Sequence, residues 1–228
     1  MRTTTRLQLV YGALAAADTL LAGSGRPWAH RARRVTKPLL MPVLAASLAT
    51  DDRATGSPLR ATTLAAEAAG WGGDVLLLGE GPGRFAAGAG SFGVGHLAYL
   101  HGLHRLRERR TTARRSPAVR AVAGVWAGTA PVVAVAAARQ ERSLGPTVLG
   151  YSGLLATMVA AATRLGDDVP RRARLLTASG AGLFLLSDSV LGARTFLLRS
   201  PSPAVESAVM ATYTAGQYLI SRGAAAAS

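Results

Sequence analysis

Apolar segments of roughly 17–22 residues alternate along the chain with short polar pieces rich in arginine, the pattern of membrane-spanning helices. Eight such segments can be read, at roughly 7–23, 37–50, 60–79, 84–104, 118–138, 144–163, 174–193 and 203–221. The second is the weakest, being short and carrying Pro38 and Pro42. Pro38 suits a first helical turn, where its missing N–H has no partner to lose, and Pro42 predicts a kink or a later start. The expected architecture is all-α, a polytopic bundle of about eight transmembrane helices. Residues 1–228 are expected to form a single membrane domain, with a frayed tail over Ala224–Ser228.

Composition agrees with that pattern. Of 228 residues, 49% are hydrophobic, and mean hydropathy is +0.24. A soluble alanine-rich helical protein is the rival reading, since alanine is only weakly apolar. The net charge of +14 invites comparison with nucleic-acid binders. The arginines, however, lie between the apolar segments, and interleaved aromatics are missing, so anionic membrane lipids are the expected partners and nucleic acid is not. There are no cysteines, hence no disulfide framework, thiolate metal site or cysteine nucleophile. Arg2 and Arg6 precede an apolar run as in a signal peptide. Asp18 interrupts that run and no clean small-residue cleavage site follows, which favours a first membrane helix.

With an even number of spans both termini lie on one side. That side carries Arg2, Arg6, Arg53, Arg60, the dense run Arg105, Arg107, Arg109, Arg110, Arg114, Arg115 and Arg120, and then Arg164, Arg171, Arg172, Arg174 and Arg222. The other side carries fewer, chiefly a loop from Arg26 to Lys37 with Arg84, Arg139, Arg142, Arg194 and Arg199. The positive-inside rule then places both termini in the cytoplasm of a bacterial-type plasma membrane. Nothing in the pattern fixes an oligomeric state.

Two apolar spans carry a carboxylate near mid-depth: Asp74 in WGGDVLLLG and Asp188 in GAGLFLLSDSVLGARTF. An ionisable group inside such a span is costly and marks a candidate functional site. The third and seventh spans run parallel, entering near Arg60 and Arg174. Each aspartate lies fourteen residues in, about 21 Å at 1.5 Å per residue, so the pair shares one depth in a core of about 30 Å. Glu67 lies two turns before Asp74 on the same face, and Gly180, Phe184, Asp188 and Gly192 recur at four-residue spacing.

Other polar candidates are His96 and Tyr99 on the fourth span, Tyr151 near the start of the sixth, Tyr213 and Gln217 sharing a face of the eighth, and Lys37 at the mouth of the second. Asp18 is expected to cap or pair locally, and His101 and His104 to be solvated. No metal site is expected, because the histidines lack accompanying carboxylates. Gly88, Gly90 and Gly93 reproduce a GxGxxG spacing, but without a preceding strand or a downstream acid they read as small residues for close helix packing.

The pieces TKPLLMP at 36–42, GGDVLLL at 72–78, GSFGVGHLAYL at 90–100, GAGLFLLSDSVLGARTF at 180–196 and YTAGQYLI at 213–220 together resemble the YhhN-like lysoplasmalogenase family. The resemblance implies an eight-helix membrane enzyme that hydrolyses the vinyl ether bond of a lysophospholipid, releasing a fatty aldehyde and a glycerophospho-alcohol. It implies catalytic roles for Asp74 and Asp188 and a supporting role for Lys37. Paired buried carboxyls suit the chemistry, one donating a proton and the other activating water, with no metal or organic cofactor required. Lys37 or an arginine of the 26–34 loop is expected to hold the phosphate. The fatty chain is expected among Leu76, Leu77, Phe184 and Leu185, and Glu67, His96, Tyr99, Tyr213 and Gln217 are candidate substrate contacts. A small transporter or channel using the carboxylates for proton or cation passage is the alternative, and a lipid-binding structural protein a third reading.

Overall fold

A computed structural model of the chain describes residues 2–107 and 116–228. Arg109, Arg110, Arg114 and Arg115 of the basic run lie outside the described residues. The described chain forms α1 (Thr3–Ala22), α2 (Pro27–Ala49), α3 (Arg60–Leu76), α4 (Pro82–Arg105), α5 (Pro117–Gln140), α6 (Leu144–Ala162), α7 (Arg171–Phe196) and α8 (Pro203–Ala225). Proline is the first residue of α2, α4, α5 and α8. Its fixed φ suits that position, and its missing N–H has no intrahelical partner there.

Helices α5, α6 and α7 are long and apolar enough to cross a membrane. The others do not meet that combination of length, hydropathy and low charge, so the reading of eight spans stands on pattern alone. The distribution of burial nevertheless runs opposite to that of a water-soluble bundle. Leu20, Val35, Leu97, Val132 and Leu186 are exposed, while Asp18, Glu67, Asp74, His96 and Gln217 are buried at 0–1% exposure. Exposed large apolar side chains and polar groups buried within a largely apolar core suit lipid as the solvent, since polar groups within a membrane face the bundle interior.

The chain folds as successive hairpins, α1 on α2, α3 on α4, α5 on α6 and α7 on α8. Helix α8 also contacts α1, α2 and α3, whereas α5 rests on α6 and α7 at the periphery. Close helix approach relies on glycine. A Cβ at Gly180 would lie 2.6 Å from the Gly216 carbonyl oxygen, and one at Gly216 would lie 2.9 Å from that of Gly180. The α7–α8 crossing is therefore a backbone-to-backbone contact that only small residues permit. Beside it, Phe92, Phe184, His96 and Tyr213 pack edge to face, with centroids 5.1–6.1 Å apart.

Three expectations need correction. The second helix begins at Pro27, ten residues earlier than expected, so Lys37 sits in its middle and not at a mouth, and Pro38 and Pro42 are both interior. The 26–37 segment is thus helix and not loop. Its charges are tolerated because the bundle pairs them: Arg33 meets Asp18 at 3.3 Å and Glu206 at 3.0 Å, and Thr36 donates to Asp18 at 2.6 Å. Asp18 accordingly pairs across to α2. The tail is not frayed either. Ala224 and Ala225 are buried at 0% and 3% exposure, Ser57 donates to the Ala224 carbonyl at 2.6 Å, and Ser228 donates to that of Arg53 at 2.6 Å.

The same face is fastened by Asp51, which follows α2. Its carboxylate accepts from Arg53 Nε and Nη2, both at 3.0 Å, and from Arg222 Nη1 at 2.8 Å. Burial alone would raise its pKa, but the bonds from Arg53 and Arg222 outweigh burial and hold it below the ordinary carboxylate value.

Candidate active site

Helices α3 and α7 bring Asp74 and Asp188 to the wall of one cavity of about 60 Å³, which Tyr151, Tyr213, Ser187, Phe92 and Leu191 also line. The two aspartates, expected to face each other, line that cavity together. Both helices begin within three residues of the expected entry points, Arg60 as expected and Arg171 three residues before Arg174.

The two carboxyls have different company. Asp74 is 1% exposed. Lys37 Nζ lies 3.6 Å from its Oδ1, and the Tyr213 hydroxyl donates to its Oδ2 at 2.8 Å. The mid-helix position of Lys37 is what aims its ammonium into the bundle. Asp188 is half-buried and forms no ion pair among the described residues. It accepts a short hydrogen bond from the Tyr151 hydroxyl, whose oxygen also lies 3.2 Å from His96 Nε2. Asp74 has both an ammonium and a phenol to support a carboxylate, whereas Asp188 has a phenol alone and so less support for charge.

Two larger cavities adjoin this one. An apolar groove of about 270 Å³ between α5, α6 and α7 is lined by Trp126, Val132, Val133, Leu185 and Leu191 and reaches Tyr151 and Asp188. A more polar cavity of about 420 Å³ opens among the helix ends and turns near Gly79–Pro82, Gln140–Leu144 and Arg194–Phe196. Phe85 and Leu191 border all three.

Of the residues singled out from the sequence, Asp74, Asp188, Tyr151 and Tyr213 line the central cavity, with Lys37 one contact behind Asp74 and His96 one contact behind Asp188 through Tyr151. Glu67, Tyr99 and Gln217 lie outside its lining. Tyr99 donates to Gln217 Oε1 at 2.8 Å, and Glu67 is buried at 0% exposure.

Of the residues expected to wall the fatty chain, Leu185 lines the apolar groove and Leu77 the central cavity. Phe184 is buried in the aromatic cluster, and the groove runs instead past Leu185 toward α5. Of the residues expected to hold the phosphate, Lys37 is paired with Asp74 and Arg33 with Asp18 and Glu206, whereas Arg31 and Arg34 of the same segment are exposed. His101 and His104 are exposed as expected, and no group of residues that could hold a metal occurs among the described residues. Tyr151 was the residue least legible as a site member. A single tyrosine in an apolar span reads as an interfacial anchor, and only the fold places it on Asp188.

Three helices long and apolar enough to cross a membrane, with two carboxyls lining a cavity between an apolar and a polar one, mark a membrane protein. The chain belongs to the YhhN family, whose model matches residues 32–224. The match takes in Lys37, both aspartates, Tyr151 and Tyr213. No curated protein and no solved structure matches the chain.

Proposed function

We propose that this protein is a lysoplasmalogenase-like hydrolase, cleaving the vinyl ether bond of a lysophospholipid with Asp188 as general acid and Asp74 as general base. One observation carries the reading: two carboxyls from different helices line one cavity where an apolar groove meets a polar mouth. A lyso-ether lipid has that layout, with a hydrocarbon chain, a reactive ether and a polar glycerophospho group in sequence.

Protonated Asp188 gives its proton to the vinyl carbon remote from oxygen, and the double-bond electrons form the new C–H bond. The resulting oxocarbenium ion is stabilised by the adjacent oxygen and by the Asp74 carboxylate. Asp74 takes a proton from water as its oxygen bonds to the cationic carbon, giving a hemiacetal. The Asp188 carboxylate then removes the hemiacetal O–H proton while Asp74 protonates the departing glycerol oxygen. Aldehyde and alcohol leave, and both carboxyls return to their starting states. One water is consumed and no redox change occurs. Lys37 and Tyr213 hold Asp74 in its charged form, and Tyr151 orients Asp188.

In this reading all eight helices cross the plasma membrane of a bacterial-type cell, with both termini in the cytoplasm. Withdrawal of Arg33 and Lys37 into buried pairs lightens the positive charge of the opposite face and favours that orientation. The test is aldehyde release from a lysoplasmalogen in detergent or liposomes by Asp74→Asn and Asp188→Asn. Each is expected to lose at least about 100-fold, the usual range for removing a general acid or base. Undiminished release by either folded variant removes the assignment. Ion flux through liposomes with no aldehyde from any lyso-ether lipid would instead favour a transporter.

A further inference from the structure

We propose that the polar cavity at the turn-side mouth is a phosphoryl-amine subsite, in which Arg194 binds the phosphate and the Glu80–Glu141 rim receives a cationic amine. The inference rests on the hydrolase reading for its occupant, a lyso-lipid headgroup. Its geometry stands by itself.

The cavity of about 420 Å³ is lined by one cation, Arg194, and three carboxylates, Glu80, Glu141 and Glu206. It shares Leu77, Phe85 and Leu191 with the aspartate cavity. A ligand spanning the two would put its polar end at Arg194. Arg194 follows Asp188 by six residues on α7, roughly 9 Å along the helix axis. A glycerol backbone, a phosphate and the reach of an arginine side chain together cover that interval.

The guanidinium is already oriented. Glu206 Oε2 lies 3.0 Å from Arg194 Nε, while Glu206 Oε1 holds Arg33. Among the described residues the two terminal nitrogens of Arg194 have no partner, so the paired donors that suit a phosphate are unspent. The nearby alternatives are engaged: Arg33 by Asp18 and Glu206, Lys37 by Asp74. Glu206 is bound to two arginines, but Glu80 and Glu141 are exposed and carry no ion pair among the described residues. A lining with one arginine and two uncommitted carboxylates is complementary to a zwitterion, and less so to an anion with no amine.

The test uses the whole purified protein in dodecylmaltoside and lipids with a saturated 1-O-hexadecyl ether, which cannot undergo the reaction. Binding is measured by microscale thermophoresis for 1-O-hexadecyl-lysophosphoethanolamine, its phosphoglycerol counterpart and 1-O-hexadecylglycerol, which has no phosphate. Arg194→Gln is expected to weaken both phospholipids about tenfold or more while leaving hexadecylglycerol unchanged. The double variant Glu80→Gln/Glu141→Gln is expected to weaken the phosphoethanolamine lipid about threefold to tenfold and to spare the phosphoglycerol lipid. Glycerophosphoethanolamine should compete with the lipid, and inorganic phosphate should compete much less.

Equal losses for hexadecylglycerol and the phospholipids in folded Arg194→Gln overturn the phosphate role. An unchanged lipid preference in the Glu80/Glu141 variant overturns the amine role. Competition by inorganic phosphate as strong as that by glycerophosphoethanolamine shows a general anion site and overturns the headgroup assignment. Because Arg194 also holds Glu206, Arg194→Lys keeps that charge pair if the Gln variant fails to fold. It should retain folding with a loss of about threefold on phospholipids alone, and no selective loss overturns the proposal. Arg194-dependent binding without hydrolysis of any vinyl ether would refute the hydrolase reading and leave the subsite standing.

Discussion

Replacing Lys37 by methionine isolates the contact on which the site's charge arrangement depends. The side chain keeps its length and loses its ammonium. Lys37 Nζ and Asp74 Oδ1 are 3.6 Å apart, with 11% and 2% of their side chains exposed. At an effective dielectric constant of about 20, unit charges at that separation attract by roughly 4.6 kcal/mol. Removing one partner of a buried pair costs about 3–5 kcal/mol, because the other charge is stranded. Tyr213 still donates to Asp74, which offsets part of this, so Lys37→Met is expected to destabilise the fold by about 3 kcal/mol.

The double variant Lys37→Met/Asp74→Asn carries neither charge and should recover most of that loss. The coupling energy in the cycle is then about 2 kcal/mol or more. The assay is equilibrium unfolding of the four proteins in dodecylmaltoside micelles titrated with dodecyl sulfate. Aldehyde release is measured in parallel and should fall at least about 100-fold in Lys37→Met, with no recovery in the double variant. Additive effects within about 0.5 kcal/mol, or full activity in Lys37→Met, would refute the role given to this pair.

Three further outcomes are expected. Gly180→Ala drives a Cβ to 2.6 Å from the Gly216 carbonyl and should destabilise by about 1–3 kcal/mol in the same unfolding titration, whereas Gly182→Ala meets nothing within 4 Å and should be neutral. Tyr151→Phe removes the phenol from Asp188 and should slow aldehyde release about twofold to tenfold, much less than Asp188→Asn does. Asp51→Asn loses the bonds from Arg53 and Arg222 and should lower the melting temperature at pH 7. Because the folded-state pKa of Asp51 is depressed, its contribution is present above the unfolded value of about 3.9 and disappears as pH falls through the lower folded value. The difference in melting temperature between Asp51→Asn and the parent should therefore shrink on acidification through that range.

The aspartates were legible because a carboxylate in an apolar run violates the local pattern, and the cavity they share shows them brought together. Helix α2 was misread at its start because Arg31, Arg33, Arg34 and Lys37 resemble a loop. What makes them helical is long-range: Asp18 on α1, Glu206 on α8 and Asp74 on α3 accept Arg33 and Lys37. No local window contains those partners. The proline at position 27 was the available signal for the true start. Tyr151 was legible only as a polar candidate without a role, because its role comes from Asp188, 37 residues away. Arg194 and Glu206 sit at helix ends, where charged residues ordinarily read as solvated. The carboxyl-terminal residues read as a frayed alanine tail, yet they dock on the Ser57 and Arg53 segment through contacts that composition does not encode.

Protonation of the vinyl carbon by an aspartic acid leaves an isotopic mark. Purified protein is incubated with a lysoplasmalogen in deuterium oxide, and the aldehyde is reduced at once with borohydride and analysed by mass spectrometry. One carbon-bound deuterium per molecule at the position next to the former carbonyl is expected, with release lost in Asp188→Asn and in Asp74→Asn. Release of unlabelled aldehyde, or labelled release undiminished in both aspartate variants, would contradict acid–base hydrolysis by this pair.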